Sequence, residues 1–128
     1  MRLLLDTHCF LWFFTGDSKL SGDARAAIES TSNESLVSIA SLWEMAIKSS
    51  LGKLDLRLPF AELAARILTD TDSTLLALSV SHLEALQQLP FHHRDPFDRM
   101  LVAQAQVEGL TIVTKDENVQ SYGVSHIW

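Results

Sequence analysis

Along the chain, short unbroken apolar runs of strand length alternate with longer stretches in which apolar residues recur at a helical period. Arg2 to Asp6 reads as a first buried strand, and Thr7 to Phe14 as a helix stopped by Gly16. Ser21 caps a short helix running to about Ser30, with Asp23 in its first turn, where the helix dipole favours an anion. Glu34 to Ser38 predicts a second strand and Ile39 to Leu51 a helix closed by Gly52; Pro59 takes the N1 position of a helix over Phe60 to Thr69. Thr74 to Leu78 predicts a third strand, followed by a helix from about Val80 to Gln88. Pro90 to Arg94 is a loop, and Pro96 opens a helix that ends at Gly109. Thr111 to Thr114 is a fourth strand, Glu117 to Ser121 a short helical turn, and Val124 to Ile127 a last strand. The alternation predicts one α/β domain over residues 1–128 with a central, mainly parallel sheet.

Composition narrows the class further. A chain of 128 residues with 47% hydrophobic and 20% charged side chains folds around its own core and is neither fibrous nor low in complexity. Cys9, the single cysteine, allows no intrachain disulfide and no cysteine-based zinc site, so a reducing compartment is expected. Asp6 breaks the opening apolar run before it reaches the ~7 residues of a signal peptide, and no run approaches the ~18 residues of a membrane span. A cytoplasmic, membrane-free protein is the expectation. The formal charge of −6 announces no general polyanion-binding surface. If four carboxylates share one cation-binding pocket, however, the rest of the molecule is close to neutral.

Ligands of open parallel sheets bind beyond the carboxyl ends of the strands. Asp6 ends the first strand, Asp116 follows the fourth, and Asp95 with Asp98 opens the helix leading into the fourth. Each has a plain alternative: Asp at a strand-to-helix turn is a good helix cap, and Asp95 before Pro96 is the strongest such case. Asp98 is harder to explain away. On a wheel of ~100° per residue it falls between Ala105 and Val102 on the packed side, whereas Arg99 and Gln106 mark the solvent stripe. Glu44 lies beside Leu51 at the border of the buried arc of its helix, with Lys48 placed for an i,i+4 pair worth about 0.3 kcal/mol.

Acids gathered on one rim repel by roughly 4 kcal/mol per pair at 4 Å and an effective dielectric of 20, so something must neutralise them. An all-oxygen set suits a hard divalent ion, Mg²⁺ or Mn²⁺, that keeps much of its water shell. Metal-dependent phosphoryl chemistry follows as a class; the substrate does not.

The segments Leu4-Leu5-Asp6-Thr7-His8, Ser41-Leu42-Trp43-Glu44-Met45-Ala46-Ile47-Lys48, His92-His93-Arg94-Asp95-Pro96-Phe97-Asp98-Arg99-Met100-Leu101 and Val113-Thr114-Lys115-Asp116 carry a resemblance over essentially the whole chain. In this order they resemble PIN-domain ribonucleases, specifically the VapC-type toxins of bacterial toxin–antitoxin pairs. The resemblance implies a three-layer α/β/α domain and an RNA endonuclease that needs Mg²⁺ or Mn²⁺. It maps four metal-binding, catalytic acids onto Asp6, Glu44, Asp98 and Asp116, and gives Thr7 or Thr114 the task of orienting a carboxylate or a metal-bound water. Asp95 becomes a cap that also tunes the pocket. Attack by metal-activated water on a backbone phosphate, leaving a 5′-phosphate and a 3′-hydroxyl, is the implied reaction. Homodimers are implied as well, and so is an antitoxin whose C-terminal segment enters the groove and presents an arginine to the acids.

An acidic protein must still hold RNA, and Lys48, Lys53, Arg94, Arg99 and Lys115 are the candidate phosphate contacts, each with a plain solvated side chain as its alternative. His92 and His93 either touch phosphate or serve as hydrogen-bonded structural residues. His8 and Cys9 read as packing residues, and Trp12, Trp43, Trp128, Phe13, Phe14 and Phe97 as core or dimer-interface residues rather than base-stacking platforms. Two other functions compete. A phospho-acceptor receiver domain also gathers acids at the carboxyl edge of a parallel sheet, but here one acid, Glu44, lies within a helix and no Asp ends the second strand. A nuclease-shaped binding module without catalysis is disfavoured by the presence of all four acids.

Overall fold

The computed structural model describes residues 1–128. In chain order its elements are β1 (Arg2–Leu5), α1 (Thr7–Thr15), α2 (Gly22–Glu29), β2 (Glu34–Ser38), α3 (Ile39–Ser50), α4 (Phe60–Asp70), β3 (Ser73–Leu76), α5 (Val80–Gln88), α6 (Pro96–Glu108), β4 (Thr111–Val113), α7 (Glu117–Gln120) and β5 (His126–Ile127). The strands form one five-stranded sheet in the order β3-β2-β1-β4-β5, and every pairing is parallel. The expected α/β/α sandwich is therefore present.

The Leu3-Leu4-Leu5 run explains why the sheet must be covered on both faces, since successive side chains of a strand point to opposite sides. Leu3 and Leu5 join Phe10, Val37, Leu63 and Ile67 in a core beneath α1, α2 and α4. Leu4 joins Leu36, Leu101, Val102 and Ile112 in a second core beneath α5 and α6. No helix is long and apolar enough to cross a membrane.

Three local readings need correction. The last strand, expected from Val124, is paired only over His126–Ile127. Pro59 is the N-cap of α4 rather than its first helical residue, because its carbonyl accepts from Leu63 N at 3.0 Å while its own ψ of 140° stays extended. The third strand starts one residue earlier than its apolar run suggests and ends at Leu76, where parallel pairing with β2 stops at Ser38.

The strand order places the functional region. Chain connections leave β1 towards β2 on one side, while β4 joins its other edge, so a crevice opens beyond the carboxyl ends of β1 and β4. The backbone closes this junction with a bond from Asp6 N to Val113 O of 3.2 Å. Asp6 follows β1 and Asp116 lies three residues beyond β4, so both border the crevice.

Candidate active site

Three acids reach the crevice because they cap helices. Asp6 accepts from Cys9 N at 2.7 Å, Asp95 accepts from Phe97 N at 2.9 Å and Asp98 N at 3.0 Å, and Asp116 accepts from Asn118 N at 2.8 Å. Capping and convergence are thus one arrangement: α1 and α7 follow strand ends, α6 leads into β4, and the N-termini of all three carry their caps to the same rim. Asp98 stands in the first turn of α6, with its side chain only 22% exposed.

Glu44 comes to the rim by another route, from the middle of α3, and is 5% exposed. Its Oε1 accepts from Thr7 Oγ1 at 2.7 Å, and its Oε2 pairs with Lys48 Nζ at 2.8 Å. The bond to the Glu44 carboxylate holds the Lys48 ammonium above its ordinary range, with Asp95 and Asp98 adding to the same effect. Thr114, fully buried, accepts from Asp116 N at 3.1 Å, and its hydroxyl also favours the ionised form of Asp6.

Electrostatics show that the acids share one space. Burial raises the Asp98 carboxyl to about 8, and Asp95, Asp116, Glu44 and Asp6 all push in the same direction. Burial likewise raises Asp6 above the usual carboxylate range, against the pull of Thr114, the Cys9 amide and His8, with Asp116 adding repulsion. Four acids from separate elements therefore act on Asp98. No three of them close on a common point as a ready-made cage. Mg²⁺ is typically held through one or two carboxylates and keeps several waters. The donor set, oxygen only and short of countercharge, fits such an ion.

A cavity of 210 Å³ lined by Asp6, His8, Trp12, Lys115 and Asp116 opens on one side of the rim, and one of 300 Å³ including Thr7, Lys48 and Lys53 on another. Lys115, Lys53 and Arg94 are exposed, whereas Lys48 is 40% exposed and already occupied by Glu44.

Arg99 is not a surface contact. It is 5% exposed and donates to Pro90 O at 2.7 Å and to the Tyr122 hydroxyl at 3.1 Å, with Phe91 stacked 4.0 Å from its guanidinium carbon. The loop before α6 folds over the stripe that the helical wheel assigns to solvent. His8 also departs from expectation: it is exposed and stacks on Trp12 at 5.5 Å. Cys9 is fully buried, as a packing residue should be, and burial pushes its thiol up. Trp43 is 56% exposed and meets Phe97 edge-on at 5.2 Å beside the rim. His93 proves to be hydrogen-bonded, to Asp98 and to Tyr122, and Tyr122 is the one site neighbour that sequence reasoning missed.

Residues 3–124 match the family model of the PIN domain. In shape the chain is similar to VapBC2 from Rickettsia felis, solved bound to a DNA fragment from its promoter, with a TM-score of 0.73, 13% identity, and 99% of this chain and 98% of that one covered. VapBC-1 from nontypeable Haemophilus influenzae gives a TM-score of 0.69 at 12% identity, covering 99% of this chain and 97% of that one. FitAcB from Neisseria gonorrhoeae gives 0.67 at 17% identity, covering 98% and 96%. At these identities the likeness is one of fold. No curated protein matches the sequence.

Proposed function

The chain belongs to the PIN domain family, and from that premise we propose that it is a Mg²⁺- or Mn²⁺-dependent endoribonuclease of the VapC toxin type. One observation carries the reading: Asp98 is buried at the sheet's crevice among four other carboxylates brought there from separate parts of the chain, and burial first, then those carboxylates, raise its own carboxyl. Asp6, Glu44, Asp98 and Asp116 would hold the ion, with Thr7 fixing Glu44 and Thr114 turned to Asp6 and Asp116. When bound, the ion supplies a more acidic water and positive charge against the phosphate.

The chain's own residues do the rest. Thr7 holds the Glu44 carboxylate in one orientation, and Lys48 neutralises its other oxygen until substrate arrives. Lys115, on the wall shared with Asp6 and Asp116, is placed to meet a backbone phosphate, with Lys53 and Arg94 as further cations. The five-stranded order β3-β2-β1-β4-β5 differs from the 2-1-3-4-5 order of receiver domains, which counts against the signalling alternative.

Partners follow from the same reading. A cleft of 530 Å³ beside the rim, with Leu11, Trp12, Phe14, Leu54, Leu56 and Leu58 on its walls, suits the apolar side of an antitoxin segment. The VapBC and FitAcB names of the structural relatives support such a partner. Exposed Leu75 on the edge strand β3, with Val80 and Leu83 on α5, supports a homodimer.

The test is cleavage of structured RNA in Mg²⁺ or Mn²⁺ by the parent chain, Asp6→Asn and Asp98→Asn. Cleavage by the parent alone, abolished by EDTA, is the expected result. Activity that survives EDTA, or survives in both variants, would overturn the metal mechanism.

A further inference from the structure

Asp98 makes one side-chain hydrogen bond, and it leads into the protein rather than into the crevice. Its Oδ2 lies 3.4 Å from His93 Nε2. The other ring nitrogen, Nδ1, lies 2.9 Å from the Tyr122 hydroxyl. That hydroxyl is in turn 3.1 Å from Arg99 NH1, whose guanidinium is anchored on the Pro90 and Leu89 carbonyls.

Donor and acceptor chemistry orders these contacts. Arginine only donates, so the Tyr122 oxygen accepts from Arg99. The Tyr122 proton then has two available acceptors, His93 Nδ1 at 2.9 Å and His93 O at 3.5 Å, and the shorter contact is the better bond. With Nδ1 accepting, the ring proton sits on Nε2 and faces the carboxylate. Every bond then donates in one direction, from Arg99 through Tyr122 and His93 to Asp98. The rings of His92 and His93 also pack against Tyr122, at 4.7 and 5.5 Å, so the hydroxyl is held in place by aromatic contact as well.

We propose that His93 is a positioning residue for the carboxylate pocket: the Tyr122 hydroxyl fixes it as the Nε2–H tautomer, and it engages Oδ2 of Asp98, leaving Oδ1 for the cation. The proposal rests on the metal-dependent reading above and assigns a role to residues outside the acid set. It also explains why Arg99 is buried beside an acidic site without an acid of its own to pair with. Its charge polarises the Tyr122 hydroxyl, and the loop carrying Leu89 and Pro90 holds it there.

Three variants separate this role from simple packing. In His93→Gln the amide nitrogen falls near the former Nε2 and can still donate to Asp98, whereas in His93→Asn it falls near Nδ1 and cannot. Tyr122→Phe keeps the ring and removes the hydroxyl. Mn²⁺ binding is read by electron paramagnetic resonance on the RNA-free protein, folding by urea unfolding, and the tautomer by ¹⁵N spectra of the imidazole. Loss of an outer hydrogen bond to a metal ligand weakens binding by roughly 10- to 100-fold. We expect that loss in His93→Asn, near-parental binding in His93→Gln, and in Tyr122→Phe an intermediate loss with a mixed tautomer signal. A folded His93→Asn that binds Mn²⁺ as tightly as the parent, or a parent His93 protonated at Nδ1 alone, overturns the proposal. A parent that binds no Mn²⁺ overturns both this proposal and the reading beneath it, so the two failures are told apart.

Discussion

The hydroxyl of Thr7 donates to Oε1 of Glu44 at 2.7 Å, tying the first residue of α1 to the middle of α3 across 37 positions of sequence. Both partners are buried, so the carboxylate has no water to replace this donor. Removing one partner of such a bond leaves a desolvated charge and costs about 1–3 kcal/mol. Thr7→Val, which keeps the shape, should lose that much in urea unfolding and cut RNA cleavage sharply. Thr7→Ser should stay near the parent in both measurements. A valine variant as stable and active as the parent would show that Lys48 alone holds Glu44.

Stability of the metal-free protein should fall as pH rises: Asp6, raised by burial, contributes, and so does Asp98. The Asp98 carboxyl is raised from 3.8 to about 8, first by burial and then by its acidic neighbours. Between those values the folded chain keeps a proton that the unfolded chain has released. Stability from this group is therefore complete below about pH 4 and is lost progressively up to about pH 8. Melting temperatures measured in EDTA from pH 5 to 8.5 should decline in the parent and decline less in Asp98→Asn. Saturating Mn²⁺ should reverse the trend, because an ion that binds the ionised form stabilises more as pH rises. Equal pH slopes in parent and variant would remove Asp98 as a cause.

Much of this site is legible in the sequence because the same chemistry that caps a helix also loads a strand's carboxyl edge with acid. Asp6, Asp95 and Asp116 each satisfy a cap, and the parallel sheet brings those caps to one rim. Glu44 and Asp98 are legible through helical phase, which places them among packed residues. Phase fails for Arg99, since a wheel knows only its own helix. The cover over Arg99 comes from Phe91 in the preceding loop and from Tyr122, 23 residues away. Tyr122 itself lies in a turn with no periodic pattern, and only the folded chain reveals that it meets His93.

Arg99 and Lys115 should behave oppositely when truncated. Buried Arg99 has hydrogen bonds from a charged group to Pro90 O and Tyr122, so Arg99→Ala should cost at least about 2 kcal/mol in unfolding. Lys115 is exposed, and Lys115→Ala should change stability by no more than about 0.5 kcal/mol. RNA binding should report the reverse. The slope of log K against log salt should flatten by about 0.7 in Lys115→Ala, the share of one phosphate on a single strand. An unchanged slope would take Lys115 out of the RNA path.

Asp95 carries two physical roles that a pair of substitutions can divide. As N-cap of α6 it accepts from Phe97 N and Asp98 N, and as a charge it raises the neighbouring Asp98. Asn caps helices about as well as Asp but carries no charge, whereas Ala removes the cap and costs about 1 kcal/mol. Asp95→Asn should thus keep the urea midpoint near the parent and lower the pH at which Asp98 ionises, which carboxyl ¹³C shifts can follow in the metal-free protein. Asp95→Ala should lower that pH too, while losing stability through the frayed first turn. If Asp95 were instead a metal ligand, both variants would lose Mn²⁺ affinity by a similar factor. If it acts as cap and tuning charge, Asp95→Asn should keep most of that affinity, because the ligands stay in place and the easier ionisation of Asp98 offsets part of the attraction lost with the Asp95 charge.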